Sequence, residues 1–141
     1  MPLLVLDCSV AVAWCFDDEA TPFHDALLDR VQAEGAVAPP LWVSEVANVL
    51  LNAGRRGRIA SAAVRERLAL LDMLPIEIDI VGTGPVWRSA VLALAEAEGL
   101  TFYDASYLEL AIRRGLGLAS SDAALRRAAS RRGVQLEPRS D

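Results

Sequence analysis

Short apolar runs separated by helix-length segments are the feature that most narrows what this chain can fold into. The first, Leu3 to Leu6, is rich in strand formers, too short to be a helix, and stopped by Asp7, which suits a buried strand. Ala36 to Ala38 repeats the pattern and ends at Pro39-Pro40. Ile76 to Val81 alternates apolar and acidic residues with period two, the mark of a strand with one polar face. Leu116 to Ala119 and Val134 to Leu136 complete the set. Between them lie helical patterns: Ser9 to Phe16, Pro22 to Glu34, Leu41 to Ala53, Ser61 to Leu74, Val86 to Glu98, Thr101 to Arg114 and Ser121 to Arg131. Ser61 reads as a cap, Gly35 and Gly99 as stops, and the basic finish of the sixth helix suits its dipole. Strands alternating with one or two helices predict an α/β fold, a parallel sheet of four to five short strands with helices on both faces.

The chain's 141 residues make one domain, 1–141, large enough to need no disulfide or metal in order to fold. Cys8 and Cys15 lie about 10 Å apart by helical rise, beyond the reach of a disulfide. No signal-peptide pattern opens the chain and no apolar run approaches a membrane span, so the expected location is the cytoplasm, away from membranes. All 14 basic residues are arginine. Without lysine, Schiff-base chemistry and the Walker phosphate loop are excluded. A net charge of −5 argues, taken alone, against a nucleic-acid partner.

Ligands of open α/β sheets bind beyond the carboxyl ends of the strands, and this chain places acids there. Asp7 closes the first strand, Asp122 follows Leu116 to Ala119 and two serines, and Asp104 opens a helix. Glu45 interrupts an otherwise apolar helix between Val43 and Val46. Each also has an ordinary reading: Asp104 and Asp122 as N-caps, Asp7 as a turn residue, Glu45 as a charge tilted to solvent. Spacing leaves both readings open. Carboxylates converging to about 5 Å would repel by about 3 kcal/mol per pair at an effective dielectric of about 20, making protonation or a bound cation nearly obligatory. Oxygen ligands without histidine or thiolate favour Mg²⁺ or Mn²⁺ over Zn²⁺. Other hydrolytic arrangements are thin. The single histidine, His24, reads as a surface residue, Cys8 lacks a histidine partner, and no serine sits in a Gly-x-Ser-x-Gly elbow.

Three segments, LVLDCSVAVAWCFDDE, PLWVSEVANVLLNAGRRGRI and LTFYDASYLELAIRRGLGLASSDAALRRAA, together resemble the PIN-domain nucleases, most closely the VapC-type toxins of toxin-antitoxin pairs. The resemblance spans essentially the whole chain. It implies a PIN-like parallel sheet and metal-dependent endonucleolytic cleavage of RNA, often a tRNA or rRNA site, with Mg²⁺ or Mn²⁺ as cofactor. Carried across by position, it implies catalytic roles for Asp7, Glu45, Asp104 and Asp122, with Asp7, Asp104 and Asp122 as metal ligands. Ser9, Asn48 and Ser120 fall where supporting or substrate-contacting side chains stand. Arg126 occupies a place where many relatives carry a further acid, which bears on a second metal. The implied partners are a second copy of the chain and a VapB-type antitoxin.

RNA affinity depends on how cations are grouped rather than on the total. Seven arginines fall between Arg113 and Arg139 against Asp122 and Glu137, and Arg55, Arg56 and Arg58 cluster beyond the Glu45 helix. Arg55, Arg58, Arg113 and Arg126 are therefore candidate RNA contacts, the other reading being a solvated helix face. Asp17 to Glu19 reads as a solvated loop, and Trp14, Trp42 and Trp87 as core or dimer contacts. Two other classes remain: an aspartate phosphoacceptor domain, weakened by the absence of lysine, and a catalytically silent PIN fold kept for binding a protein.

Overall fold

The computed structural model of the chain describes residues 1–139; Ser140 and Asp141, inside the expected domain limits, lie outside the described residues. Its sheet has five parallel strands in the order β3-β2-β1-β4-β5: β1 Leu4–Leu6, β2 Ala36–Ala38, β3 Ile76–Ile78, β4 Gly117–Ala119 and β5 Leu136–Glu137. Seven helices connect them: α1 Cys8–Ala13, α2 Pro22–Glu34, α3 Leu41–Arg55, α4 Ser61–Asp72, α5 Pro85–Glu98, α6 Phe102–Arg114 and α7 Ala123–Arg131. Val5 pairs with Val37 on one side and Leu118 on the other.

Successive strand residues face opposite sides, yet Leu4, Val5 and Leu6 are all at most 2 % exposed. Both faces of the central strand are therefore covered, which is why β1 is apolar throughout instead of alternating. Val10, Leu50, Leu108 and Leu125 bring the helices into the same core, each such side chain contributing about 1.5–3 kcal/mol on full burial. Gly99 and Gly115 end α5 and α6 in the left-handed region, φ 65° and 64°, where a glycine carries no Cβ penalty.

Strand order fixes the place of the site. From β1 the chain steps outward to β2 and β3, then returns across the sheet to β4 on the other side of β1. The connections thus diverge at the carboxyl ends of β1 and β4, the switch point at which open parallel sheets leave a crevice.

The structure departs from sequence expectation at several ends. β3 stops at Ile78, not Val81, because Asp79 is buried against Arg113 while Ile80 and Val81 turn out to solvent. β5 begins at Leu136 instead of Val134. Ser61 lies inside α4, whose N-cap is Ala60 with no side-chain cap bond. Asp17–Glu19 is a 3-10 turn whose Asp18 and Glu19 pair with Arg58 at 3.1 and 2.7 Å, so it is tied down instead of simply solvated. Cys8 and Cys15 are free and buried. Trp42 is in the core, Trp14 donates from Nε1 to the His24 carbonyl, and Trp87 donates from Nε1 to Glu109. No described helix is long and apolar enough to cross a membrane.

Candidate active site

Asp7 leaves β1 and enters α1 at its N-cap, but its carboxylate makes no cap bond. It turns instead into the crevice, where Oδ2 accepts hydrogen bonds from Ser9 Oγ at 2.8 Å and Ser120 Oγ at 2.7 Å. A carboxylate only accepts, so both serine protons must point at it. Each serine oxygen is then free to accept in turn. Ser120 Oγ receives the Asp122 amide, and Ser9 Oγ receives the Ser121 amide, both at 3.0 Å. The loop after β4 is thereby stapled to Asp7, and Asp122 is set beside it. Arg126 braces the same loop by donating to the carbonyls of Ser120 and Pro138 at 3.0 and 2.6 Å.

The other acids arrive on helices. Asp122 caps α7, its Oδ1 accepting from the Leu125 amide at 2.8 Å. The ordinary cap and a place on the rim thus coexist in one residue. Asp104 is not a cap. Thr101 caps α6 by accepting from the Asp104 amide, and its side chain also bonds the Asp104 carboxylate. Glu45, half-buried on α3, accepts a 2.5 Å hydrogen bond at Oε1 from the hydroxyl of Tyr107, which is fully buried on α6.

Electrostatics link the acids. Burial pushes the Asp7 carboxyl above its ordinary range, opposed by the Ser120 and Ser9 hydroxyls and the Cys8 amide and reinforced by Asp122. Glu45 is raised by burial, opposed by Tyr107, with Asp7 and Asp104 adding repulsion. Asp104 is raised by burial and then by Asp122 and Asp7, opposed by its hydrogen bond with Thr101. Asp7, Glu45, Asp104 and Asp122 therefore share one crevice, and the fold holds like charges together there against their repulsion. Burial, Glu45 and Asp7 push the Cys8 thiol up to about 12, which leaves it protonated and not a nucleophile.

A PIN-domain family model matches residues 4–131. The chain belongs to the PIN-domain family. The PIN fold also aligns with the crystal structure of PAE2754 from Pyrobaculum aerophilum at 26 % identity and a TM-score of 0.73, over 96 % of this chain and 92 % of that one. No curated protein matches the sequence. PIN domains are generally nucleases and typically bind divalent metals, so this one has a nuclease-type, hydrolytic fold.

The donors present fit such an ion. They are carboxylate oxygens without histidine, the hard set that Mg²⁺ and Mn²⁺ prefer. Among the described residues no three His, Cys, Asp or Glu side chains close into a ready-made metal cluster. Mg²⁺ suits such an open arrangement, because it is held by one or two carboxylates and keeps several waters.

The remaining candidates are spread over α3, the turn after it, α6 and α7. Asn48 is exposed one turn beyond Glu45 on α3, and Arg55 is exposed at that helix's end. Arg58 pairs with Asp18 and Glu19 and lies 3.8 Å over the Phe16 ring. Arg113 bonds Asp79 at 2.6 Å and Glu109 at 2.7 Å. Arg58, Arg113 and Arg126 thus have partners inside the PIN domain. Tyr107 and Asp79 were missed by sequence reasoning. Tyr107 had a usable signal, since it stands three residues after Asp104 and so shares its helix face.

Proposed function

We propose that this PIN domain is a divalent-metal-dependent endoribonuclease of the VapC toxin type, neutralised by a VapB-type antitoxin and working as a homodimer. The observation that carries the catalytic part is the convergence of Asp7, Glu45, Asp104 and Asp122 at the β1–β4 switch point, with Asp7 fixed by two hydroxyl donors. The toxin role and the partners rest on the sequence resemblance.

Asp7, Asp104 and Asp122 would hold the ion. A bound Mg²⁺ or Mn²⁺ neutralises charge building on a scissile phosphate and eases the ionisation of water. Ser9 and Ser120 keep Asp7 oriented and, by donating to the same oxygen, favour its ionised form against the effect of burial. Glu45 has Oε1 engaged by Tyr107, so Oε2 is the oxygen that takes a proton from the attacking water. Its upward shift, set first by burial, is in the direction a general base working near neutrality needs.

Incubating the purified protein with total RNA tests the proposal. Cleavage should require Mg²⁺ or Mn²⁺, stop with EDTA and be absent in Asp104→Asn. Cleavage that survives EDTA or Asp104→Asn would refute the assignment, and no cleavage across structured and unstructured RNAs would favour a binding-only PIN domain. Tyr107→Phe keeps the buried ring and removes only the hydroxyl that holds Glu45. Its kcat should fall about 10- to 100-fold, as when a group orienting a site ligand is lost, with KM and the melting temperature nearly unchanged.

A further inference from the structure

We infer that the Ser9 and Ser120 hydroxyls hold this crevice to a single divalent ion, by filling the Asp7 oxygen that a second ion would need. The inference rests on the proposal that Asp7, Asp104 and Asp122 hold the metal, and adds to it how many ions they take.

Two-metal sites set their ions about 3.5–4 Å apart, a separation at which one carboxylate can give an oxygen to each. Asp7 is the acid placed to be shared in that way. It leaves the central strand at the floor of the crevice and is buried, whereas Glu45 and Asp104 are half-buried and Asp122 is exposed. Its charge is also the one coupled to all three of the others.

The oxygens of Asp7 are not equivalent. A carboxylate oxygen has two lone pairs, and at Oδ2 both are taken, by Ser9 Oγ at 2.8 Å and Ser120 Oγ at 2.7 Å. Asp122 Oδ1, with the Leu125 amide, and Glu45 Oε1, with the Tyr107 hydroxyl, each carry one such bond. A single bond leaves an oxygen one lone pair, and two leave it none. Oδ1 is what remains of Asp7 for an ion, and the Cys8 amide is directed at the same carboxyl.

Both hydroxyls are held from behind as well. Ser9 Oγ accepts the Ser121 amide and Ser120 Oγ the Asp122 amide, each at 3.0 Å, and Ser120 is fully buried. A serine that swung away from Asp7 to make room would give up its amide and leave polar groups unpaired. The pair of serines therefore acts on the ion count by fixing which oxygen Asp7 presents.

The test counts ions in the full chain. Mn²⁺ alone is the probe, since it belongs to the class these oxygens prefer and is paramagnetic. Calorimetric titration of the parent should return one Mn²⁺ per chain, and the EPR spectrum of the loaded protein should be that of an isolated ion. Ser9→Ala frees a lone pair on Oδ2 while keeping the buried Ser120, so the count should rise to two per chain, with the spectrum broadened by coupling between neighbouring ions. Ser9→Thr restores the hydroxyl and should return the count to one. Two ions in the parent, or one ion in Ser9→Ala, would overturn the inference, and neither result would touch the nuclease proposal if the parent still cleaves RNA with Mg²⁺. No Mn²⁺ bound by the parent would overturn both. A count that moves from one to two in a protein that cleaves no RNA would uphold the inference and strike the nuclease proposal instead.

Discussion

An Asp7→Asn variant will cleave RNA about 100- to 1000-fold more slowly than the parent chain, because a catalytic ion supplies several kcal/mol of charge stabilisation and each 1.36 kcal/mol is tenfold in rate. Asparagine keeps an acceptor for the Ser9 and Ser120 hydroxyls, so the loop stapled to this position stays in place while the negative charge goes. A second readout separates lost chemistry from lost fold. Mn²⁺ should raise the melting temperature of the parent, by about 2.7 kcal/mol of stabilisation at a hundred times its dissociation constant, and should leave the variant unmoved. Equal Mn²⁺ responses in the two proteins would remove Asp7 from the ligand set.

Arg113→Met will destabilise the protein by about 3 kcal/mol, at the lower end of what removing one partner of a buried ion pair costs. Asp79 is 3 % exposed at its side chain and Arg113 27 %, so the variant strands a carboxylate in the interior while the partial exposure of the arginine tempers the loss. Burial alone would raise the Asp79 carboxyl; the Arg113 hydrogen bonds and charge, with the Val81 and Gly82 amides, more than offset it and hold it below the usual carboxylate range. A depressed folded pKa contributes stability that is present above the unfolded value of about 3.9 and is lost as pH falls through the folded one. The deficit of Arg113→Met, measured by urea unfolding, should therefore be full at neutral pH and shrink below about pH 4. RNA affinity should be untouched by this substitution. A stable variant that binds RNA poorly would instead return Arg113 to the phosphate contacts suggested by its place in the arginine run.

What could be read from the sequence was local. Short apolar runs alternating with helical patterns gave the α/β class, and the acids chosen from their settings, Asp7, Glu45, Asp104 and Asp122, are coupled through their charges. Asp122 shows why an acid's cap reading and its site reading should not have been set against each other: Oδ1 serves the helix while the residue's charge still acts on Asp7 and Asp104. The misses depend on distant partners. Asp79 ends β3 early because of an arginine 34 residues away, and Tyr107 meets Glu45 across 62 residues. Neither partner announces itself in a local pattern. The ion pairs of Arg58 and Arg113 were out of reach for the same reason, since a run of cations says nothing about which carboxylates fold against it.

The pairing of β1 with β4, Leu4 against Gly117, has a consequence for the chain while it is being made. Strands joined over such separations close late, and until β4 docks Asp7 lacks both Ser120 and its neighbour Asp122. An emerging chain that stops short of residue 122 carries a first strand with one edge bare and an incomplete crevice. Whatever chemistry this crevice performs waits until β4 and the loop that carries Ser120 and Asp122 have docked beside β1.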